Sequence, residues 1–202
     1  RHLILRRPGP GRSPRPTGNG FRARDGGSLL DRERPPAPIA IPPGLPVVGI
    51  AAATATITVE TAPAAGEPIG RLVIPEAGVD WVFVEGVDRS ALRSGAGHMP
   101  GTALPGQPGN AVISGHRTTY GAPFLHLDRL DPGDLITVET ASGEHVYQVV
   151  ESLIVAPGDT WVTGQWDGAW LTLTTCDPVF SAQQRLVVIS RLIGGPNAGV
   201  IL

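Results

Sequence analysis

Short apolar or alternating segments, separated by turn residues, fill the chain from about residue 69 onward, and this pattern constrains the fold most. Seven segments have the length and alternation of β-strands, at residues 70–74, 79–84, 111–115, 135–140, 145–153, 170–175 and 185–192. The turns between them combine glycine with polar residues, as in Asp131-Pro132-Gly133-Asp134, where a positive φ is readily adopted. About 130 residues suffice for one such core. The pattern therefore predicts an all-β barrel or sandwich.

Two other segments, 89–94 and 122–130, favour short helices. In the second, Phe124, Leu127 and Leu130 recur at every third position after a proline in the first turn, which gives a one-sided apolar stripe. Glycine-rich phosphate-binding patterns do not occur between a strand and a helix, so the sequence gives no support to a nucleotide-binding fold.

The N-terminal part has a different composition, because residues 1–46 contain ten of the 21 prolines and residues 1–34 are rich in Arg, Gly and Ser. Such a segment cannot bury enough apolar surface to offset chain entropy, so we expect a disordered arm over 1–46. Residues 47–68 are either a weakly apolar linker or a degenerate membrane anchor. Their apolar part is shorter than the roughly 20 residues of a membrane-spanning helix, yet it follows an Arg-rich segment as a membrane-inserted segment would. The folded domain is expected at 69–193, with a C-terminal tail at 194–202.

Charge and residue usage exclude several function classes. Residues 1–34 hold nine Arg and three acidic residues, whereas residues 35–202 hold seven Arg and fifteen acidic residues. The second part lacks the basic face that nucleic-acid binding requires. No lysine occurs, which excludes a nucleophilic or Schiff-base lysine, so any reacting amine must come from another molecule. The single cysteine excludes a disulfide between cysteines of this sequence and any multi-cysteine metal site.

Three residues carry the chemistry that remains possible. His116 and Cys176 each follow a strand-like run, and Arg185 begins another. A strand, a turn and the next strand would place Cys176 and Arg185 side by side, with His116 supplied from elsewhere. A neighbouring imidazolium or guanidinium favours the thiolate and stabilises an oxyanion. These residue types predict acyl transfer, with Cys176 as nucleophile, His116 as the acid for the leaving amine and Arg185 as the charge at the oxyanion. Taken singly, each residue more often has a structural role than a catalytic one.

The motifs around these residues resemble those of the sortases, the cysteine transpeptidases of Gram-positive cell surfaces. In that family a strand ends in Thr-Leu-X-Thr-Cys, the catalytic arginine follows nine residues after the cysteine, and the histidine follows a glycine on an earlier loop. The matching residues here are Thr172-Leu173-Thr174-Thr175-Cys176, Arg185 and Gly115-His116. The resemblance covers about residues 69–193. Longer local matches look most like the actinobacterial class E sortases, at Gly95-Ala96-Gly97-His98-Met99-Pro100-Gly101-Thr102, Gly109-Asn110, residues 115–124, Leu127-Asp128-Arg129-Leu130 and Gly133-Asp134.

The resemblance implies a closed eight-stranded β-barrel with one or two short helices, and a two-step reaction. A sorting signal of the LPXTG or LAXTG type would be cleaved between Thr and Gly, and the resulting thioester would pass to an amine. That amine would belong to a peptidoglycan precursor or to a pilin lysine, and the sorted partners would be surface proteins that carry the signal. The resemblance places such an enzyme on the outer face of the cytoplasmic membrane, and it implies neither a metal nor a cofactor.

Two further residues are implied to contact substrate. Thr175 would be expected to help hold the substrate backbone, and Tyr120 matches a tyrosine that class E enzymes use near the second substrate position. The alternatives differ in chemistry. A non-catalytic β-barrel domain would bind the peptide at the cell surface without reacting, and a papain-like peptidase would need its cysteine before its histidine, whereas His116 comes first.

Overall fold

The computed structural model describes residues 56–202. Eight strands run in the order β1 (Pro68–Ile74), β2 (Val79–Glu85), β3 (Ala96–His98), β4 (Gly109–Gly115), β5 (Leu135–Thr140), β6 (Gly143–Val155), β7 (Ala169–Asp177) and β8 (Gln184–Gly194). They close into one barrel with the neighbour order β1-β2-β3-β4-β7-β8-β6-β5. The pairs β2–β3 and β4–β7 are parallel, and the other pairs are antiparallel. The predicted all-β closed barrel of eight strands is therefore confirmed.

Alternate side chains of the strands fill the barrel. In β5, Ile136 and Val138 are fully buried in the interior, while Leu135 faces outward and is 47% exposed. Strand β7 is buried on both faces, because Leu171 and Leu173 point into the barrel and Trp170 joins a second apolar cluster outside it. That cluster packs the outer faces of β7 and β8 against residues 161–166 of the β6–β7 connection. The connection thereby becomes a second layer over one side of the barrel.

The three-residue strand β3 was not predicted from the sequence. Ala96-Gly97-His98 shows no apolar alternation, and its position depends on parallel pairing with β2 and antiparallel pairing with β4. The short helix α1 (Arg89–Arg93) makes the crossover that parallel pairing requires. Its N-cap is Asp88, whose carboxylate accepts the backbone N–H groups of Ser90 and Ala91 at 2.7 and 3.0 Å. The helix predicted over 89–94 is therefore confirmed.

The helix predicted over 122–130 is wrong. Only Leu127–Arg129 forms a single 3-10 turn, and the chain before it bends at Gly121 and Ala122, whose φ values of 79° and 48° are positive. Phe124, Leu127 and Leu130 are all buried. Their spacing of three residues matches the period of a 3-10 helix rather than the 3.6 residues of an α-helix.

Both ends of the described chain lie against the barrel. Asn197 accepts the Thr58 N–H at 2.8 Å and donates to the carbonyl oxygens of Thr58 and Gly106, each at 2.9 Å. The segment 194–202, predicted as a tail, contains the short helix α2 (Ala198–Ile201). The predicted arm at 1–46 and residues 47–55 of the predicted linker or anchor lie outside the described residues. Within residues 56–202, no helix has the length and apolar character to span a membrane.

Candidate active site

Cys176 and Arg185 lie opposite each other on neighbouring antiparallel strands. Cys176 is the last residue but one of β7, Arg185 is the second residue of β8, and the strand register pairs them directly. The sequence predicted this juxtaposition from the strand, turn and strand that separate them. Both side chains are half-buried. Nη1 of Arg185 donates to the carbonyl oxygens of Ala182 and Gln184 at 3.1 and 2.9 Å, so the loop before β8 fixes one end of its guanidinium.

His116 reaches the same place from the other side of β7. Strands β4 and β7 are parallel, and their last register pair joins Ser114 to Thr174, an offset of 60 residues. His116 and Cys176 are separated by the same offset, so continuing the register by two residues sets them level. The half-buried His116, Cys176 and Arg185 therefore belong to three adjacent segments in one row across the barrel wall.

These three residues line one cavity, which has a volume of about 460 Å³. The β6–β7 connection forms one wall of the cavity, and Leu92 of α1 together with Val87 and Met99, which follows β3, contributes apolar side chains to the other. Besides the three residues of the row, the lining comprises Val87, Leu92, Met99, Ser114, Gly115, Val155, Ala156, Pro157, Asp159, Thr160, Val162, Thr163, Thr174, Thr175 and Val187. A cysteine, a histidine and an arginine thus meet in a largely apolar cleft that is large enough for a peptide segment.

Comparison with known proteins agrees with this geometry. The sortase domain family model matches residues 72–193. The chain belongs to the sortase family. It is 31% identical over 144 residues to Sortase SrtE1 of Streptomyces coelicolor, covering 63% of this chain and 41% of that protein. It is 33% identical over 135 residues to Sortase D of Bacillus subtilis, covering 65% of this chain and 67% of that protein. The chain thus spans less than half the length of SrtE1.

Solved sortase structures share the barrel. The sortase E of Streptomyces avermitilis superimposes with a TM-score of 0.59 at 30% identity, over 65% of this chain and 91% of that one. SrtF of Corynebacterium diphtheriae gives a TM-score of 0.62 at 28% identity, over 69% and 91%. SrtE1 and the sortase E structure confirm the likeness to class E that the local motifs indicated. The identity to Sortase D of Bacillus subtilis is similar, at 33%.

In this sortase, Tyr120 lies beside His116 at the rim of the site. The two ring centroids are 5.0 Å apart with the planes at 49°, and the guanidinium of Arg93 lies 5.6 Å from the tyrosine ring centroid. Tyr120 has a positive φ of 50° and is 47% exposed. Its side chain is held next to His116 but outside the set of cavity-lining residues.

Thr175 faces the opposite way from Cys176, because successive residues of a strand alternate between its two faces. The side chain is 2% exposed, and its hydroxyl donates to the carbonyl oxygen of Gly115 at 2.8 Å. Its hydroxyl is thus already engaged on the barrel side.

Arg117 and Asp177 lie directly beside the site, and the sequence analysis did not single them out. Each directly follows a residue of the predicted site. They form an ion pair in which Nη1 of the buried Arg117 contacts Oδ1 of the half-buried Asp177. A signal for this pair existed, because Arg117 and Asp177 show the same offset of 60 residues as His116 and Cys176. The sequence alone gave no reason to read that offset as a strand register.

Asn110 holds the wall of the cavity to the barrel. Its side-chain amide is fully buried and donates to the carbonyl oxygens of Val162 and Gly164 at 3.1 and 3.0 Å. Its side-chain oxygen, Oδ1, accepts a hydrogen bond from the hydroxyl of Thr172 at 2.8 Å. One asparagine therefore joins β4, β7 and the β6–β7 connection. Among residues 56–202, no three His, Cys, Asp or Glu side chains come together as a metal site would require.

Proposed function

We propose that this chain is a cysteine transpeptidase that cleaves an LPXTG-like or LAXTG-like sorting signal between Thr and Gly and transfers the acyl group to an amine. The observation that carries the proposal is the row of His116, Cys176 and Arg185 along one cavity. Membership of the sortase family supports the same reaction class.

The three side chains have separate tasks in the proposed reaction. The Cys176 thiolate adds to the carbonyl carbon of the substrate threonine, and Arg185 stabilises the negative charge that develops on the carbonyl oxygen. The C–N bond then breaks, and His116 gives a proton to the departing glycine amine. In the second step an amine attacks the thioester, His116 takes up a proton from it, and the Cys176 thiolate leaves. Since the chain has no lysine, the amine comes from another molecule.

The lining of the cleft supports a short peptide as substrate. Leu92, Met99 and Val162 offer apolar contacts for the leucine of the signal, whereas Thr174 and Ser114 offer hydroxyl groups near the peptide backbone. We assign Tyr120 to the rim of the substrate site because its ring contacts His116. Thr175 would hold the substrate backbone through its own backbone groups.

The partners and the location follow from the same proposal. The donors are surface proteins that carry a sorting signal, and the acceptor is the amine of a peptidoglycan precursor or of a pilin lysine. The enzyme would act on the outer face of the cytoplasmic membrane of a Gram-positive bacterium. An anchor within the predicted range 47–68 would have to precede Thr58, because Thr58 is bonded to Asn197 on the barrel.

Peptide turnover by the 202-residue chain tests the proposal. The chain is incubated with LPXTG and LAXTG peptides, with and without an amine acceptor, and the protein mass is followed. We expect an adduct equal to the acyl fragment on the wild type and none on Cys176→Ala, with both proteins folded by circular dichroism. Peptide binding without an adduct would identify a non-catalytic binding domain instead, and turnover by Cys176→Ala would refute the assignment of the nucleophile.

Arg185→Ala tests the oxyanion charge. We expect kcat to fall about 100-fold, as for the loss of one oxyanion donor. Arg191→Ala is the matched control, because Arg191 is on the same strand but its guanidinium lies 5.8 Å from the ring centroid of Trp170. The control should keep its kcat. Equal losses in the two variants would contradict the role of Arg185.

A further inference from the structure

The residues that flank His116 are bonded to the residues that flank Cys176. The parallel ladder between β4 and β7 ends at the pair Ser114 and Thr174. Beyond that pair, backbone pairing no longer joins the two segments, although the reacting side chains lie two residues further on. Side chains bridge the gap on both sides of the row formed by His116 and Cys176.

The first bridge is the hydroxyl of Thr175, which donates to the carbonyl oxygen of Gly115 at 2.8 Å. Both residues are buried. This bond fixes the backbone immediately before His116 to the backbone immediately before Cys176.

The second bridge is the guanidinium of Arg117, which is only 4% exposed. Nη1 donates to the carbonyl oxygen of Cys176 at 3.3 Å and also contacts the carboxylate of Asp177. Nη2 lies 3.3 Å from a carboxylate oxygen of Asp128. The Nε atom is buried and has no acceptor within the described part of the chain, so the two terminal nitrogens hold the group in place.

We propose that Arg117 and Asp177 form a positioning pair that sets His116 at its working distance from Cys176. The inference rests on the proposed function, because it concerns the same reacting groups. Arg117 is covalently next to the histidine, and its guanidinium is bonded to the cysteine's own carbonyl group and to the following carboxylate. Any shift of the loop after β4 relative to β7 must therefore break or bend these bonds. Misplacement of a reacting group by about 1 Å can cost about 100-fold in rate.

Arg117→Gln, Asp177→Asn and the double variant test the pair. We expect each single variant to lose at least 10-fold in kcat while the peptide KM stays within about 3-fold, because the peptide contacts remain. Asp177→Asn should lose less than Arg117→Gln, because Arg117→Gln also removes the contacts with the Cys176 carbonyl oxygen and Asp128. The double variant should lose about as much as Arg117→Gln alone, since the contact with Asp177 is already absent there. Arg117→Lys keeps the positive charge but lacks the several N–H donors of the guanidinium. Its kcat should therefore be higher than that of Arg117→Gln and lower than that of the wild type.

The matched control is the exposed pair of Arg71 and Asp80, whose side chains meet at 2.7 Å on β1 and β2. Arg71→Gln and Asp80→Asn make the same chemical changes away from the site and should leave kcat unchanged. If Arg117→Gln does not fold, Asp177→Asn decides the matter, because it keeps the arginine and removes only the carboxylate charge.

The outcomes separate this inference from the proposed function. A wild type that forms no acyl adduct overturns the proposed function and this inference with it. A wild type that turns over, with unchanged kcat in Arg117→Gln or Asp177→Asn, overturns the positioning role alone. A raised KM with unchanged kcat also overturns it, because that pattern indicates a substrate contact rather than the placement of His116.

Discussion

Replacing Asn110 by alanine removes a side chain that joins β4, β7 and the wall of the cavity. Three groups lose their partner at once, namely the carbonyl oxygens of Val162 and Gly164 and the hydroxyl of Thr172. Asn110, Thr172 and Val162 are buried, so water does not readily replace the bonds of Thr172 and Val162, whereas Gly164 is half-buried and water can reach its carbonyl oxygen. An unpaired buried polar group costs about 1 to 3 kcal/mol. Taking about 1.5 kcal/mol for each of the two buried groups, we expect Asn110→Ala to lower the free energy of unfolding by about 3 kcal/mol.

A loss of this size is readily measured. For a domain of this length, about 3 kcal/mol corresponds to a decrease in Tm of about 10 °C. Thermal unfolding followed by circular dichroism gives the Tm, and urea unfolding gives the free energy independently. Because Asn110 holds the β6–β7 connection, we also expect the KM for a sorting-signal peptide to rise.

Gln165→Ala provides the matched control for the same wall. The side-chain amide of Gln165 accepts the backbone N–H of Asn110 and donates to the backbone carbonyl oxygen of Asn110, both at 3.0 Å. Gln165 itself is exposed. Removing the exposed Gln165 side chain opens these two Asn110 backbone groups to water, so its loss should cost no more than about 0.5 kcal/mol. A Tm for Asn110→Ala within 2 °C of the wild type, or equal losses in the two variants, would refute the burial argument.

Three further predictions concern other buried groups of the barrel. Tyr147→Phe should cost about 1 to 3 kcal/mol in urea unfolding, because the buried hydroxyl accepts a backbone N–H at 2.6 Å that would lose its partner; an unchanged free energy would contradict this. Burial lowers the pKa of His145 from its usual 6.5, so the folded state binds fewer protons than the unfolded state. The contribution of His145 to the free energy of unfolding is therefore complete above pH 6.5 and is lost as the pH falls. The Tm of His145→Gln should therefore decrease less between pH 7.5 and 5 than that of the wild type. In Gly115→Ala, the new Cβ would lie 2.6 Å from the buried ring of Phe124, so both Tm and turnover should decrease, whereas Gly199→Ala meets no atom within 4 Å and should change neither.

The sequence pattern predicted the strands correctly where apolar and polar residues alternate along the chain. Seven predicted strands appear in the barrel, with ends that differ by a few residues, because alternating apolar side chains have one stable placement on a half-buried sheet. The prediction failed where the local signal was weak or had the wrong period. β3 forms because it pairs with β2 and β4. The stripe of Phe124, Leu127 and Leu130 belongs to successive tight turns and one 3-10 turn rather than to an α-helix.

The sequence by itself determined the strand-rich fold class, the supply of reactive groups and the antiparallel meeting of Cys176 with Arg185. These follow from residue type and from short spacings along the chain. Only the tertiary structure decided that His116 stands level with Cys176, that Thr175 points away from the cleft, and that Arg117 is buried against Asp177. The physical reason is that β4 and β7 are neighbours through parallel pairing over a separation of 60 residues, and no local pattern specifies a register across such a distance.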